Sequence, residues 1–525
     1  MTNNRVSRRT LLQSGALAAA GSGLGLGQTT GPRAGAPPNQ PNIYESIGVR
    51  PLINCKGTFT IITGSLTLPE VKKAMDEASR YFVNLDELME AVGRRLAELT
   101  GAEWGIVTAG CAAAMTVGTC ACIAGSSPEK IQRLPNLEGL KDEVIIPKHS
   151  RNVYDHAIRM VGPKIVTVDD VAALERAIGP RTAMVYVLAG PDDTGPFGLE
   201  PIAAVARRFG VPVFVDAAAE GLTPEVHLKR GADLVGYSGG KAIRGPQCAG
   251  LLLGRKDLCQ AAWINSAPHH AFGRSQKVGK EEVIGMLTAV EMWYKRDHAA
   301  EWKTWESWLD EISRTVTRVP GVTTGIIQPD SLSNRSPSLE IKWDGTKLGI
   351  SGQQVFDLLL DGSPRIQLYT SKGTIRSGLA ESSVSIFPWM MQPGEAKIVA
   401  DRLSGVLASP PPRTEDRRVP AAANLAGAWD LEIQFKLGRE KHSLFLEQKG
   451  EELAGLHLGE TLRGKLTGTI EGDSVSLRSS QPIEGTRLSF SFKGKVSGDS
   501  MEGVVDLGEY GQATWSGRRP PKAGS

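Results

Sequence analysis

Residues 211–250 read VPVFVDAAAEGLTPEVHLKRGADLVGYSGGKAIRGPQCAG. An apolar run, Val211 to Val215, stops at Asp216; further on, Ser238-Gly239-Gly240-Lys241 forms a small-residue turn between two more apolar runs. Short β-branched runs without polar alternation mark strands buried on both faces. The same texture recurs upstream at Val144-Ile145-Ile146, Lys164 to Val168 and Ala183 to Leu188. Helical patterns lie among these runs at Pro69 to Tyr81, Leu85 to Leu99 and Leu199 to Phe209. Buried strands alternating with helices predict an α/β domain built on a mainly parallel sheet.

Working outward, residues 44–290 are expected to form this large domain. Residues 281–319 read as a long helix, either continuous or broken. Trp302, Trp305 and Trp308 recur on one face of it, which predicts a packed helix face. Short strands and helices at Ser338 to Trp343, Gly352 to Leu360 and Glu395 to Leu407 predict a small α/β domain, so 291–408 is assigned to the linking helix and that domain. Residues 409–423, opening with Ser409-Pro410-Pro411-Pro412, are a linker. From Asn424 short alternating runs recur between Gly, Asp and Lys, and 424–525 is expected to be a small antiparallel β-barrel or sandwich. His442 and His457 in that region stand alone in sequence and are expected at the surface.

The chain opens differently. Ser7-Arg8-Arg9-Thr10-Leu11-Leu12 carries a twin arginine ahead of a weakly apolar stretch, Leu11 to Leu26. That stretch is shorter than the roughly 20 residues a membrane-spanning helix needs. Residues 1–43 therefore read as a twin-arginine export signal and linker, with a periplasmic or other extracytoplasmic destination and no transmembrane anchor.

Composition narrows the classes. Of 525 residues, 41% are hydrophobic and 22% charged, with a net charge of +3. A sizeable core is possible and global disorder is excluded. The balanced charge argues against a nucleic-acid partner. Six cysteines without paired ligand spacing suggest neither a disulfide scaffold nor a zinc site, and no metal is expected.

Three features carry chemistry. Thr108-Ala109-Gly110-Cys111-Ala112-Ala113 follows an apolar run, Trp104 to Val107, and opens a helix. Free backbone N–H groups of Gly110, Cys111 and Ala112 there suit a phosphate, although close packing also favours small residues. Asp216 ends a strand, where catalytic groups of open α/β sheets lie; an ordinary helix N-cap is the alternative. Lys241 sits among glycines that would let a planar group approach, with the Ser238 hydroxyl three residues before it. A phosphate cradle, an acid for a ring nitrogen and a Schiff-base lysine are together the parts of a pyridoxal-phosphate site.

These segments resemble the L-seryl-tRNA(Sec) selenium transferase (selenocysteine synthase) superfamily of fold-type I pyridoxal-phosphate enzymes. The match is closer to its small-substrate branch, which includes D-glucosaminate-6-phosphate ammonia-lyase. Val49-Arg50-Pro51-Leu52-Ile53-Asn54-Cys55-Lys56-Gly57, the Gly110 turn, Val215 to Ala219, Ser238 to Gln247 and Gly273-Arg274-Ser275-Gln276-Lys277 carry the resemblance, over about residues 44–408. It implies that Lys241 bonds the cofactor and Asp216 pairs with the ring nitrogen. Gly110, Cys111, Ala112 and Ser238 would hold the phosphate, and His149 would cover the ring. Arg244, Arg274 and Lys277 would meet a substrate or phosphate anion.

The resemblance also implies a homodimer or larger homo-oligomer. The expected substrate is a small amino acid or amino-sugar acid, because an exported chain would not meet aminoacyl-tRNA. The expected reaction is α,β-elimination with deamination. Transamination, racemisation and retro-aldol cleavage use the same parts, and a non-catalytic envelope-binding protein on this scaffold is the rival from another class.

Overall fold

A computed structural model of the chain describes residues 42–369, 380–412 and 419–521. The twin-arginine stretch and the centre of the Pro-rich linker lie outside these residues. Residues 42–51 belong to a separate unit, a short turn at Glu45–Ile47 in which the Asn42 carboxamide accepts the N–H groups of Tyr44 and Glu45.

In the second unit, the strands in chain order are β1 (Leu52–Cys55), β2 (Trp104–Thr108), β3 (Glu143–Pro147), β4 (Lys164–Val168), β5 (Thr182–Leu188), β6 (Val213–Asp216), β7 (Leu234–Ser238) and β8 (Gly250–Gly254). Seven of them form the sheet β2-β8-β7-β6-β5-β3-β4. Only β8 runs against its neighbours; β3 to β7 pair in parallel. Every residue of β2 and β6 is buried, as unbroken apolar runs require.

The helix Gly110–Ala124 is buried nearly all round. Its residues are small enough for that position, and its buried hydroxyls bond backbone carbonyls: Thr116 to Ala112 and Ala157, Thr119 to Met115.

The long helix is two helices, Lys280–Lys295 and His298–Val316. Arg296 is extended at the break, and the Asp297 carboxylate caps the second helix by accepting the Ala300 N–H at 2.9 Å. A second core gathers this helix, Gly352–Asp361, Glu395–Ala408 and the strands β10 (Ser338–Trp343), β11 (Arg365–Leu368) and β12 (Ser382–Ile386), while β9 (Thr323–Ile327) pairs beside them and is mostly exposed. β12-β10-β9 form an antiparallel sheet, and β1 joins this core by pairing in parallel with β11.

A third core fills a closed antiparallel barrel. Its eight strands are β13 (Gly427–Gln434), β14 (Arg439–Lys449), β15 (Glu452–Leu458), β16 (Arg463–Glu471), β17 (Ser474–Ile483), β18 (Thr486–Ser497), β19 (Ser500–Asp506) and β20 (Gln512–Arg518). β20 pairs with β13, so no edge is left open.

One expectation fails here. His442 and His457 are buried, not at the surface; His442 Nδ1 and His457 Nε2 lie 2.7 Å apart inside the barrel. They share the inward parity of Leu444 on β14 and Leu453 on β15.

Candidate active site

The carboxyl ends of β5, β6 and β7 lie side by side, and Asp216 ends the central one. Its carboxylate is 2% exposed. A buried carboxylate is tolerated only when it is hydrogen-bonded. Oδ1 accepts the Ala218 N–H at 3.0 Å and the Cys111 S–H at 3.4 Å, and Oδ2 accepts the Tyr186 O–H at 2.9 Å. Burial, then the Asp216 charge, pushes both the Cys111 thiol and the Tyr186 phenol well above their usual ranges, so both stay protonated as donors. The Tyr186 oxygen accepts in turn from Asn152 Nδ2 at 3.1 Å. Asp216 is not a helix cap: the next helix begins at Pro224.

Lys241 lies in the turn after β7, half-buried, with no hydrogen bond or ion pair among the described residues. Its charge acts on the Cys111 thiol against the effect of burial, and the turn follows the strand next to the one that Asp216 ends. The turn is packed from outside. Ser65 N–H donates to Gly240 O at 2.9 Å and Leu68 N–H donates to Arg244 O at 3.1 Å.

Gly110 starts its helix at φ +83°, and no side chain caps that end. First-turn N–H groups have no partner inside a helix and carry its positive pole. Gly250 explains how the helix reaches the sheet. A Cβ there would lie 2.5 Å from Gly110 C and 2.7 Å from Cys111 N. Gly250 pairs with Ser238, so the Ser238 hydroxyl, unpartnered among the described residues, flanks the same N-terminus. His149 follows β3, edge-on to Phe197 at 5.5 Å, and its buried Nε2 has no partner.

Beside the Lys241 turn opens a cavity of about 540 Å³. Trp293, Trp302, Trp305, Trp308 and Trp389 wall it. The tryptophans of His298–Val316 thus face a cavity rather than a closed helix interface. Their three-residue spacing was the visible signal, but their facing residues come from five distant segments.

Arg244, Arg296, Arg335 and Glu301 supply the charges of this cavity. Arg296 grips Glu301 at 3.0 and 2.9 Å and donates to Ala242 O at 3.1 Å, fixing the residue after Lys241. Burial alone would raise the Glu301 carboxyl, but His298 and Arg296 together hold it at about 2. Arg244, at φ +59°, bonds Leu66 O through Nε at 3.1 Å. Burial, then Arg296, lowers its pKa, so an anion would be welcome there.

No family model matches the chain. Among curated proteins it is 29% identical over 376 residues to D-glucosaminate-6-phosphate ammonia lyase of Salmonella typhimurium, covering 69% of this chain and 97% of that one. It is 33% identical over 308 residues to 5'-C-glycyluridine monooxygenase-decarboxylase of a Streptomyces species, covering 55% and 74%. The chain belongs to the selenocysteine-synthase-like superfamily of fold-type I pyridoxal-phosphate enzymes.

L-seryl-tRNA(Sec) selenium transferase of Moorella thermoacetica, at 26% identity, covers 57% of this fold-type I enzyme and 64% of its own length. A solved structure of D-glucosaminate-6-phosphate ammonia-lyase superposes with a TM-score of 0.62 at 27% identity, covering 70% of this chain and 98% of that one.

The residues present fit the cofactor of such an enzyme. They are a Lys241 amine without a partner among the described residues, a buried Asp216 carboxylate held by three donors, an uncapped helix N-terminus and an imidazole nitrogen without a partner. The side chains of Arg274 and Lys277 make no hydrogen bond or ion pair among the described residues. Both are exposed on a loop that Gln276 ties to Thr116 at 3.1 Å. Sequence reasoning missed Tyr186 and Asn152. Tyr186 sits in a strand that otherwise reads as core.

Proposed function

We propose that this enzyme is a lyase that eliminates a β-substituent from a small anionic amino acid or amino-sugar acid, releasing a keto acid and ammonia after water adds. The observation that carries the reading is an Asp216 carboxylate buried at a strand end and held by three donors, with a Lys241 amine that has no partner among the described residues in the turn after the neighbouring strand. When bound, the cofactor supplies an electron sink for the pair left by the departing α-proton.

The chain's own residues would do the rest. Lys241 would take the α-proton at its Nζ. Asp216 would accept the N–H of a protonated ring, with Tyr186 and Cys111 fixing its oxygens. The N–H groups of Gly110, Cys111 and Ala112 and the Ser238 hydroxyl would hold the phosphate, and His149 would cover the ring face. Arg244 would bind the anionic end of the substrate, and the indole walls would pack on its flat or ring-shaped part.

Absorption spectra of wild type and Lys241→Ala, each supplied with pyridoxal phosphate, test the site. A borohydride-removable band in wild type only is expected; the same band in the variant would overturn the role of Lys241. Product assay separates the reactions. Ammonia and keto acid in equal amounts support elimination, whereas transfer of the amino group, racemised substrate or an aldehyde fragment would reassign it.

Two parts of the proposal rest on sequence. Ser7-Arg8-Arg9 and the stretch after it support export to the periplasm or its equivalent. Arg8→Lys with Arg9→Lys should leave the protein inside the cell; continued export would refute it. The resemblance supports a homodimer or larger homo-oligomer, which light scattering measures. Among the described residues no helix is long and apolar enough to cross a membrane.

A further inference from the structure

The C-terminal barrel lies outside the resemblance to known enzymes, yet one of its hairpins touches the active-site framework. β17 and β18 are joined by a two-residue turn, Glu484-Gly485, between the paired Ile483 and Thr486. Both turn residues meet the loop after β3. Glu484 Oε2 accepts from Arg151 Nη2 at 2.6 Å. The Arg151 guanidinium is largely buried and also donates through Nε to Asp155 at 2.6 Å and through Nη1 to Thr167 at 3.1 Å. Gly485 lies flat on the next residue. A Cβ there would stand 2.4, 2.5 and 2.6 Å from the O, N and C of Asn152.

Glu484 adopts φ +46°, a conformation that costs a non-glycine residue energy. In a two-residue hairpin turn glycine would take that position more readily. Here the order is reversed: the strained position holds the residue that pairs with Arg151, and the glycine falls where Asn152 leaves no room for a side chain.

Asn152 is the link to the chemistry. Its Oδ1 accepts the Tyr154 N–H at 2.8 Å, and its Nδ2 donates to Ser150 O at 2.8 Å and to Tyr186 Oη at 3.1 Å. Tyr186 then donates to Asp216 Oδ2 at 2.9 Å. A continuous path of contacts therefore runs from the barrel turn through Asn152 and Tyr186 to Asp216. Tyr154, whose N–H the Asn152 Oδ1 accepts, shares these electrostatic surroundings. Burial raises its phenol, and the charges of Asp216 and of Glu509 on the barrel add to the rise.

We infer that the Glu484-Gly485 turn is a positioning element of the active site: it holds Arg151 and Asn152 so that Asn152 orients Tyr186 against Asp216. On this account the barrel is part of the working enzyme rather than a module appended for binding elsewhere. The inference rests on the contacts of the chain itself and holds for any reaction carried out at Asp216.

The test uses the full chain with Gly485→Val, Glu484→Gln and, as a control on an exposed barrel ion pair, Lys495→Ala. Gly485→Val should displace the turn. Expected are faster hydrogen exchange over residues 150–155 in cofactor-free protein, a changed ratio of the cofactor absorbance bands at fixed pH, and a fall in kcat on the order of 10-fold. Glu484→Gln should move the same readouts in the same direction, with kcat down about 2- to 5-fold. Lys495→Ala should move none of them. If barrel tryptophan fluorescence shows Gly485→Val folded while exchange and bands match wild type, the inference is overturned. If Gly485→Val unfolds the barrel, Glu484→Gln decides by the same readouts. A lower Tm alone, with wild-type bands and exchange, would make the contact merely structural and also overturn it.

Discussion

Asp216 and His457 are sealed from solvent to the same degree, at 2% and 0% exposure, yet their surroundings treat them in opposite ways. Around Asp216 three groups donate: a phenol, a thiol and a backbone N–H. The cost of burial shows up on the donors, which are held protonated. Around His457 there is no such support. Gln481 Nε2 lies 3.3 Å from its Nδ1 and His442 Nδ1 lies 2.7 Å from its Nε2. His442 Nε2 in turn meets Glu440 at 3.1 Å. If Gln481 donates, the chain of bonds assigns one proton to each ring, running toward the Glu440 carboxylate. Burial, then His442, drives His457 down to about 3, so it stays neutral. Of these two buried groups, one is equipped for charge and the other is stripped of it, and the equipped one lies at a strand end.

The comparison is broken most severely at its charged end. Asp216→Asn keeps the shape but turns an acceptor into a donor facing Tyr186 or Cys111. Loss of the negative charge should lower kcat by about 10²–10³-fold, while the borohydride-removable band at Lys241 persists. Turnover near wild type would mean that Asp216 is structural.

The next effect lies at the discharged end. His457 has a folded-state pKa of about 3 against an ordinary 6.5. Between these values the unfolded chain binds the extra proton and the folded barrel does not. Barrel stability should therefore be full above pH 6.5 and fall as pH drops toward 3, by about 1.4 kcal/mol for each pH unit. Denaturant melts followed by barrel tryptophan fluorescence measure it. His457→Gln should flatten the profile; an unchanged slope would assign the acid sensitivity elsewhere.

Why one end of this comparison was legible in sequence and the other was not is a matter of range. Asp216, Ser238, Lys241 and Gly110 sit at junctions of strand, turn and helix, where a few neighbouring residues settle backbone direction. The sheet, the small domain and the barrel were readable for the same reason, since apolar periodicity is local. Tyr186 reads as core because its phenol is invisible until β5 is placed beside β6. Arg151 and Glu484, 333 residues apart, carry no mutual signal. His442 and His457 were legible in principle: the two-residue alternation of β14 and β15 puts both on the inward face, and treating them as isolated polar residues ignored that parity.

A milder change tests how Asp216 is held. Tyr186→Phe leaves Oδ2 of Asp216 without its side-chain donor and Asn152 Nδ2 with only Ser150 O. Hydrogen bonds to charged groups contribute about 1.5–3 kcal/mol. A fall in kcat of about 10-fold is expected, and a Tm drop without a kcat change would confine Tyr186 to stability.

The smallest effect belongs to Cys111, and its size is set by what remains after substitution. Its thiol is a weak donor at 3.4 Å, and the same Asp216 oxygen keeps the Ala218 N–H at 3.0 Å. Gly236 faces the sulfur so closely that a Cβ there would lie 2.9 Å from it, so the sulfur needs a glycine at position 236. Serine fits that space and donates more strongly, although its shorter C–O bond draws the hydroxyl back from Asp216. These two changes oppose each other, so Cys111→Ser should alter kcat by no more than about 3-fold. Cys111→Ala removes the donor outright and should act in the same narrow range, because the backbone N–H stays. A loss from either variant as large as that from Tyr186→Phe would mean that the thiol holds Asp216 as firmly as the phenol does.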